Sequence, residues 1–216
     1  MRPSFFIENN IINYLTINNA LPDRKNEIEV NEFHYVNKNK VKNNYPNNHA
    51  EVFLGLGCFW GAERLFWELP YVYVTSVGYG GGSTKNPTYK DICTGLTEHA
   101  ELVKVVINND INILKKVLKV FWENHDPTQG MRQGNDIGTQ YRSCIYINGE
   151  NFHTIANESK NKYQNILKKN NISKTITTEI KLNKKFYYAE DYHQQYLAKN
   201  PSGYCGIKGI GLDFEI

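Results

Sequence analysis

A cysteine set between a short apolar run and the first turn of a helical repeat leaves few ways to fold a chain around it. The stretch is Gly55-Leu56-Gly57-Cys58-Phe59-Trp60-Gly61-Ala62-Glu63. Before it, Val52-Phe53-Leu54 is apolar and β-prone, so residues 51–57 are expected to form a buried strand. After it, Phe59, Ala62, Phe66 and Leu69 recur at helical spacing until Pro70, which predicts a helix over 59–69. Gly55 and Gly57 permit a tight turn between the two. Cys58 then begins a helix, where unpaired amides and the helix dipole favour a thiolate, one route to a reactive cysteine. A small buried hydrophobe is the other reading of such a cysteine, and position leaves both open.

The rest of the chain is read in order. Residues 1–49 are Asn-rich with little periodicity, and are expected to form an extended arm on the domain, partly disordered at its start. Beyond it, strands are expected over 71–77, 100–107, 141–147 and 175–180. A glycine-rich loop spans 78–82. Helices are expected over 111–121, capped by Asp110, over 150–169, and near 190–197. A polar loop over 125–140 is too long to be idle in a compact domain. Glycines 206, 209 and 211 mark a mobile C-terminal tail. Two β-α-β units with an added helix and strand fit an α+β fold, a two-layer ferredoxin-like plait with added helices, over residues 50–216.

Bulk numbers exclude several classes. The formal charge is +3, from 25 basic and 22 acidic residues, which argues for neither nucleic acid nor a membrane surface. Four cysteines (Cys58, Cys93, Cys144, Cys205) are too few for a disulfide scaffold and form no Cys-x-x-Cys pair. The first ten residues lack a signal-peptide pattern, and no stretch has transmembrane length, so a reducing cytoplasm is expected.

Gly57 to Glu63 resembles the signature of the A-type peptide methionine sulfoxide reductases. Further blocks resemble that family in order: Gly80-Gly81, Asn86-Pro87-Thr88-Tyr89, His99-Ala100-Glu101, Phe121 to Pro127, Gln133 to Asp136, Gly138 to Ser143, Tyr188 to Tyr196, and Gly203-Tyr204-Cys205-Gly206. The likeness covers residues 50–212 or so. It implies a thiol-dependent reduction of methionine S-sulfoxide, in proteins and as the free amino acid. The epimer preference is implied by the resemblance alone.

Such a reaction needs a nucleophile, a proton donor, a methyl pocket and a route back to the thiol. The resemblance makes Cys58 the nucleophile. It assigns Phe59 and Trp60 to the methyl pocket, positions that core packing at a helix start explains as well. Glu101 becomes the acid, kept protonated by burial beside an apolar pocket, where a lone strand Glu would otherwise be solvated. Tyr89 and Tyr141 are implied as further donors to the sulfoxide oxygen. Asp136 matches a residue that orders water and substrate, although capping a turn is an equal role. Cys205, between glycines, is the implied resolving thiol, condensing with the Cys58 sulfenic acid before a thioredoxin or another dithiol reopens the disulfide.

The chain departs from family members that carry a third cysteine after the resolving one, so a two-cysteine cycle is expected. Cys93 and Cys144 are expected to be structural. No flavin, nicotinamide or metal is implied, and a monomer is expected. His99, His125 and His193 are given no catalytic role. Two rivals remain: a Cys–His hydrolase or acyl transferase, and a non-catalytic module binding methionine peptides.

Overall fold

The computed structural model describes residues 21–42 and 45–215. The expected disorder at the start of the arm, and the N-terminal residues read for a leader, lie outside these. The elements are β1 (His49–Gly55), α1 (Phe59–Trp67), β2 (Val72–Gly80), α2 (Tyr89–Cys93), β3 (Ala100–Asn108), α3 (Ile111–Glu123), β4 (Arg132–Gln133), β5 (Asp136–Ile137), β6 (Cys144–Ile147), α4 (Glu150–Lys169), β7 (Glu179–Leu182), β8 (Phe186–Tyr188) and α5 (Tyr196–Lys199).

The main sheet runs β7-β6-β1-β3-β2-β8. Its central β6-β1-β3-β2 is antiparallel throughout, so β1 and β2 run parallel on either side of β3, with α1 as their crossover. This is the ferredoxin-like plait, the α+β class expected. β7 extends it in parallel beside β6, and β8 pairs antiparallel with β2. Val52 and Leu54 of β1, with Val103 and Val105 of β3, meet Phe66 of α1 and Leu118 and Phe121 of α3 in the main core. The opposite face is also covered. Phe53, Leu102 and Tyr146 pack there with Phe186, and Val41 of the arm sits on Val74 and Val106. Burial on both faces explains why β3 lacks a polar alternation. Two ionisable residues are buried on it, Glu101 and Lys104, and the Lys104 ammonium donates to the Val41 carbonyl at 3.0 Å and to the Tyr45 hydroxyl at 2.7 Å. Among the described residues no helix is long and apolar enough to cross a membrane.

Several expected elements are corrected. Gly78 and Gly80 belong to β2 rather than to a loop. A Cβ on Gly78 would lie 2.2 Å from the Tyr187 carbonyl oxygen, so its absence lets β8 pair. The strand expected over 141–147 begins at Cys144, because residues Thr139–Tyr141 form a 3-10 turn. The strand expected over 175–180 lies at Glu179–Leu182. The helix near 190–197 is confined to Tyr196–Lys199, since Gln195 takes a left-handed φ of 48°. The tail is tethered. Phe214 is fully buried in the main core, and its amide donates to Glu123 Oε1 at 2.7 Å.

Candidate active site

The strand-to-helix turn forms as the glycines predict. Gly57 has φ +98°, and a Cβ there would meet the Gln133 side chain at 2.8 Å. Gln133 is itself fixed, donating to the Asp126 carbonyl at 3.0 Å and accepting from the Asp126 amide at 3.1 Å. Cys58 is the N-cap of α1 and half-buried. The amides of Trp60 and Gly61 oppose any rise in its pKa, without a capping hydrogen bond. They do not prevail. Burial, then the nearby Glu101, pushes the thiol well above the ordinary thiol range. The thiolate expected from the helix start is therefore corrected: at rest Cys58 is a thiol, because desolvation outweighs the dipole.

Glu101 lies on β3 beside β1, and its Oε2 accepts from the Phe59 amide at 3.0 Å. Burial, offset in part by that bond, pushes the carboxyl up to about 8, with Asp136 adding to the rise. It is protonated at neutral pH. Tyr141 closes the 3-10 turn, near enough to Glu101, Asp136 and Cys58 for each to raise its hydroxyl further after burial. Tyr89 begins α2, where Thr88 and Asp91 form a capping box. Burial raises its hydroxyl, with contributions from Cys93, Glu101 and Tyr141. Asp136, on β5, is raised by burial and held by the Tyr204 hydroxyl, which donates to its Oδ2 at 3.4 Å.

Phe59 is buried and Trp60 half-buried. The Trp60 indole stacks on Tyr196 at 3.9 Å and donates from Nε1 to His193 Nδ1 at 2.9 Å. The His193 ring also packs on Phe59 at 5.1 Å and Tyr89 at 4.6 Å. The tail brings Cys205 over the same turn: its Sγ lies 2.9 Å from where a Cβ on Gly61 would be. The thiol is exposed. All the residues expected at the site thus gather around the start of α1. Of the other cysteines, Cys144 is buried in β6 as expected, but Cys93 is exposed at the end of α2 against Tyr89, which corrects its structural reading.

Supporting residues escaped the sequence reasoning. Glu63 is fully buried, with its carboxyl pushed up to about 7 by burial. It accepts from the Gln195 amide at 2.7 Å, from Gln195 Nε2 at 2.8 Å and from the Thr75 hydroxyl at 2.9 Å. Glu190 accepts from the Tyr89 amide and the Tyr79 hydroxyl, both at 2.9 Å. Each of Glu63, Glu190, His193, Gln195 and Tyr196 sits inside a block singled out in the sequence, which is the signal that could have found them. None of the three histidines offers Cys58 a base. His99 and His125 engage both ring nitrogens elsewhere, and the His193 lone pair at Nδ1 is taken by Trp60.

The chain resembles known proteins over most of its length. A family model described as peptide methionine sulfoxide reductase matches residues 50–211. A peptide methionine sulfoxide reductase MsrA of Vibrio parahaemolyticus is 52% identical, over 93% of this chain and 94% of its own. One of Brucella anthropi is 53% identical, over 91% of this chain and 90% of its own. Among solved structures, methionine sulfoxide reductase A of Corynebacterium diphtheriae superposes with a TM-score of 0.80 at 42% identity, covering 87% of this chain and 91% of that one. Reduced Mxr1 of Saccharomyces cerevisiae superposes with a TM-score of 0.68 at 32% identity, covering 77% and 94%. On this likeness and the geometry around Cys58, the chain belongs to the peptide methionine sulfoxide reductase family.

Proposed function

We propose that this chain reduces methionine S-sulfoxide, free and in proteins, with residues 50–216 as the catalytic domain and residues 1–49 as an arm upon it. The carrying observation is a buried Glu101 that accepts from the amide following the nucleophile, its carboxyl pushed up by that burial. Trp60 and Phe59 hold the S-methyl group, and the sulfoxide oxygen turns toward Glu101, Tyr89 and Tyr141. Cys58 attacks sulfur while Glu101 gives its proton to the oxygen and takes the thiol proton in return. The S=O bond breaks, and cysteine and sulfoxide become a sulfenic acid and a thioether with no net proton change. A resting thiol suits this exchange, because the acid that activates the oxygen becomes the base for the sulfur. Asp136 orders the polar end of the site through Tyr204.

The Cys205 thiol then attacks the Cys58 sulfenic acid, releasing water and leaving a disulfide. A thioredoxin-like dithiol reopens it. The thiols carry both electrons, so this reading needs no flavin, nicotinamide or metal. A monomer in a reducing cytoplasm suits the cycle.

The test is a single turnover on a racemic methionine sulfoxide peptide, with pre-reduced enzyme and no reductant. Loss of about one equivalent of the S epimer alone, with a new Cys58–Cys205 disulfide, is the expected result. Untouched substrate and four intact thiols would reject the reading. Cys58 joined to Cys93 or Cys144 would reject the two-cysteine cycle.

A further inference from the structure

The N-terminal arm carries no expected chemistry, yet its hydrogen bonds converge on the two loops that hold the aromatic residues of the site. Its first described residues grip the approach to Tyr89. Asp23 accepts from the Lys85 amide at 2.8 Å, Arg24 donates to the Asn86 carbonyl at 3.0 Å, and Asn86 Nδ2 returns a bond to the Arg24 carbonyl at 3.0 Å. Asn86, at φ +49°, is held in a left-handed conformation three residues before Tyr89. Further on, the arm crosses to the loop around His193. The Asn31 amide and side chain donate to the two carboxylate oxygens of Asp191, at 2.9 and 2.7 Å. The Tyr35 amide donates to Gln195 Oε1 at 3.0 Å. His34 is buried beneath. Its Nδ1 accepts from the Val36 and Asn37 amides, so Nε2–H donates to Thr75 Oγ1 at 3.0 Å, and Thr75 donates to Glu63.

Gln195 is thereby gripped from two sides, by the Glu63 carboxyl and by the Tyr35 amide. It has a left-handed φ of 48°, a conformation that a residue with a side chain keeps only where its surroundings impose it. It lies between His193, which accepts from the Trp60 indole, and Tyr196, which stacks on it. The arm and the inner network therefore fix both partners of Trp60 and the loop that presents Tyr89.

We propose that residues 23–35 are a positioning belt for the site, setting the separation of Tyr89, on its oxygen side, from the Trp60–His193 wall of the methyl pocket. Arg24 and Asn31 are the positioning residues. They touch no substrate and act through Asn86 and Asp191. This rests on the methyl-pocket reading above. A pocket held to the width of one methyl group discriminates against an extra methylene, and a displaced wall loses that discrimination first.

The experiment compares methionine and ethionine S-sulfoxides, as free amino acids, by kcat/KM in the full chain. Arg24→Ala and Asn31→Ala are made singly and together, with Lys40→Ala as a control. Lys40 lies on the same arm but pairs with Glu32 at 2.7 Å. The expected result is a fall in the methionine-to-ethionine ratio of about threefold in each single variant, carried mainly by KM, and more in the double. Arg24→Lys, which still reaches the Asn86 carbonyl, should restore the ratio, and Lys40→Ala should leave it unchanged. An unchanged ratio in both single variants, whatever their thermal midpoints, would overturn the belt. So would an equal fall in Lys40→Ala, which would mean general loosening. A wild-type chain that reduces neither sulfoxide would instead defeat the reductase reading.

Discussion

Glu101 holds its proton at neutral pH because its carboxyl is buried, and Cys58 holds its own for the same reason. The proposed step exchanges the two protons, which gives the pH profile a particular shape. Single-turnover kcat/KM should be flat below pH 8 and fall as Glu101, pushed up to about 8, loses its proton. A rise through pH 8–9, as a simple thiolate titration would give, would contradict the exchange. Glu101→Gln keeps an amide that donates a hydrogen bond but cannot transfer a proton, and should cost about 100-fold or more in the same assay. Tyr141→Phe and Tyr89→Phe each remove one donor. Each should cost roughly tenfold, about 1.4 kcal/mol of barrier, with thermal stability retained. Of these residues, Cys58 was legible from the strand-turn-helix pattern. The protonation of Cys58 was not, because the dipole is local and visible while the desolvation that outweighs it comes from residues far along the chain. Glu101 and the two tyrosines were legible only through their motif blocks. Nothing in a strand's own pattern says that one Glu faces a buried cleft.

Among the elements, β1, α1, α3 and α4 follow their hydrophobic periodicity closely, because each buries one continuous apolar stripe. The elements that periodicity missed draw their stability from distant partners. β8 exists because β2 presents two glycines to it at Gly78 and Gly80. α2 spans only residues Tyr89–Cys93, and its first amide is held by Glu190, from far along the chain, at 2.9 Å. The tail shows the same dependence. Its glycines read as mobility, but Phe214 anchors it under α3, and Gly209 passes so close to the Glu123 carbonyl that no side chain fits. The anchor keeps Cys205 over α1. Phe214→Ala should lower stability by about 3–5 kcal/mol, as emptying a fully buried aromatic site does. It should also slow formation of the Cys58–Cys205 disulfide while leaving the first reduction step unchanged. Urea unfolding and time-resolved mass mapping would read the two effects. An unchanged disulfide rate in the folded variant would show that the anchor does not guide the tail.

Across the whole molecule, the buried histidines and the buried carboxyls act in opposite directions on stability. His34, His125 and His193 are held neutral, each lowered by burial to about 4. Their folded values lie below the unfolded one, so their contribution is complete above about pH 6.5 and is lost as pH falls toward 4. Glu63 and Glu101 are raised to about 7 and about 8. Their folded values lie above the unfolded ones, so their contribution is complete below about pH 4.5 and is lost as pH rises through 7 and then 8. His99 is lowered by burial as well, so between these limits four histidines oppose two carboxyls and the histidines prevail. Stability should rise with pH by on the order of 1 kcal/mol per pH unit up to about 6.5. Above that the histidines contribute nothing further, and the carboxyls alone lower it until pH 8. Urea unfolding in half-unit steps should therefore show a maximum near pH 6.5. Glu101→Gln removes one descending contribution, and should shallow the alkaline limb and steepen the acid one. Stability that kept rising between pH 6.5 and 8 would mean that Glu63 and Glu101 are ionised in the folded protein, and the proton-exchange mechanism at Cys58 would fall with that result.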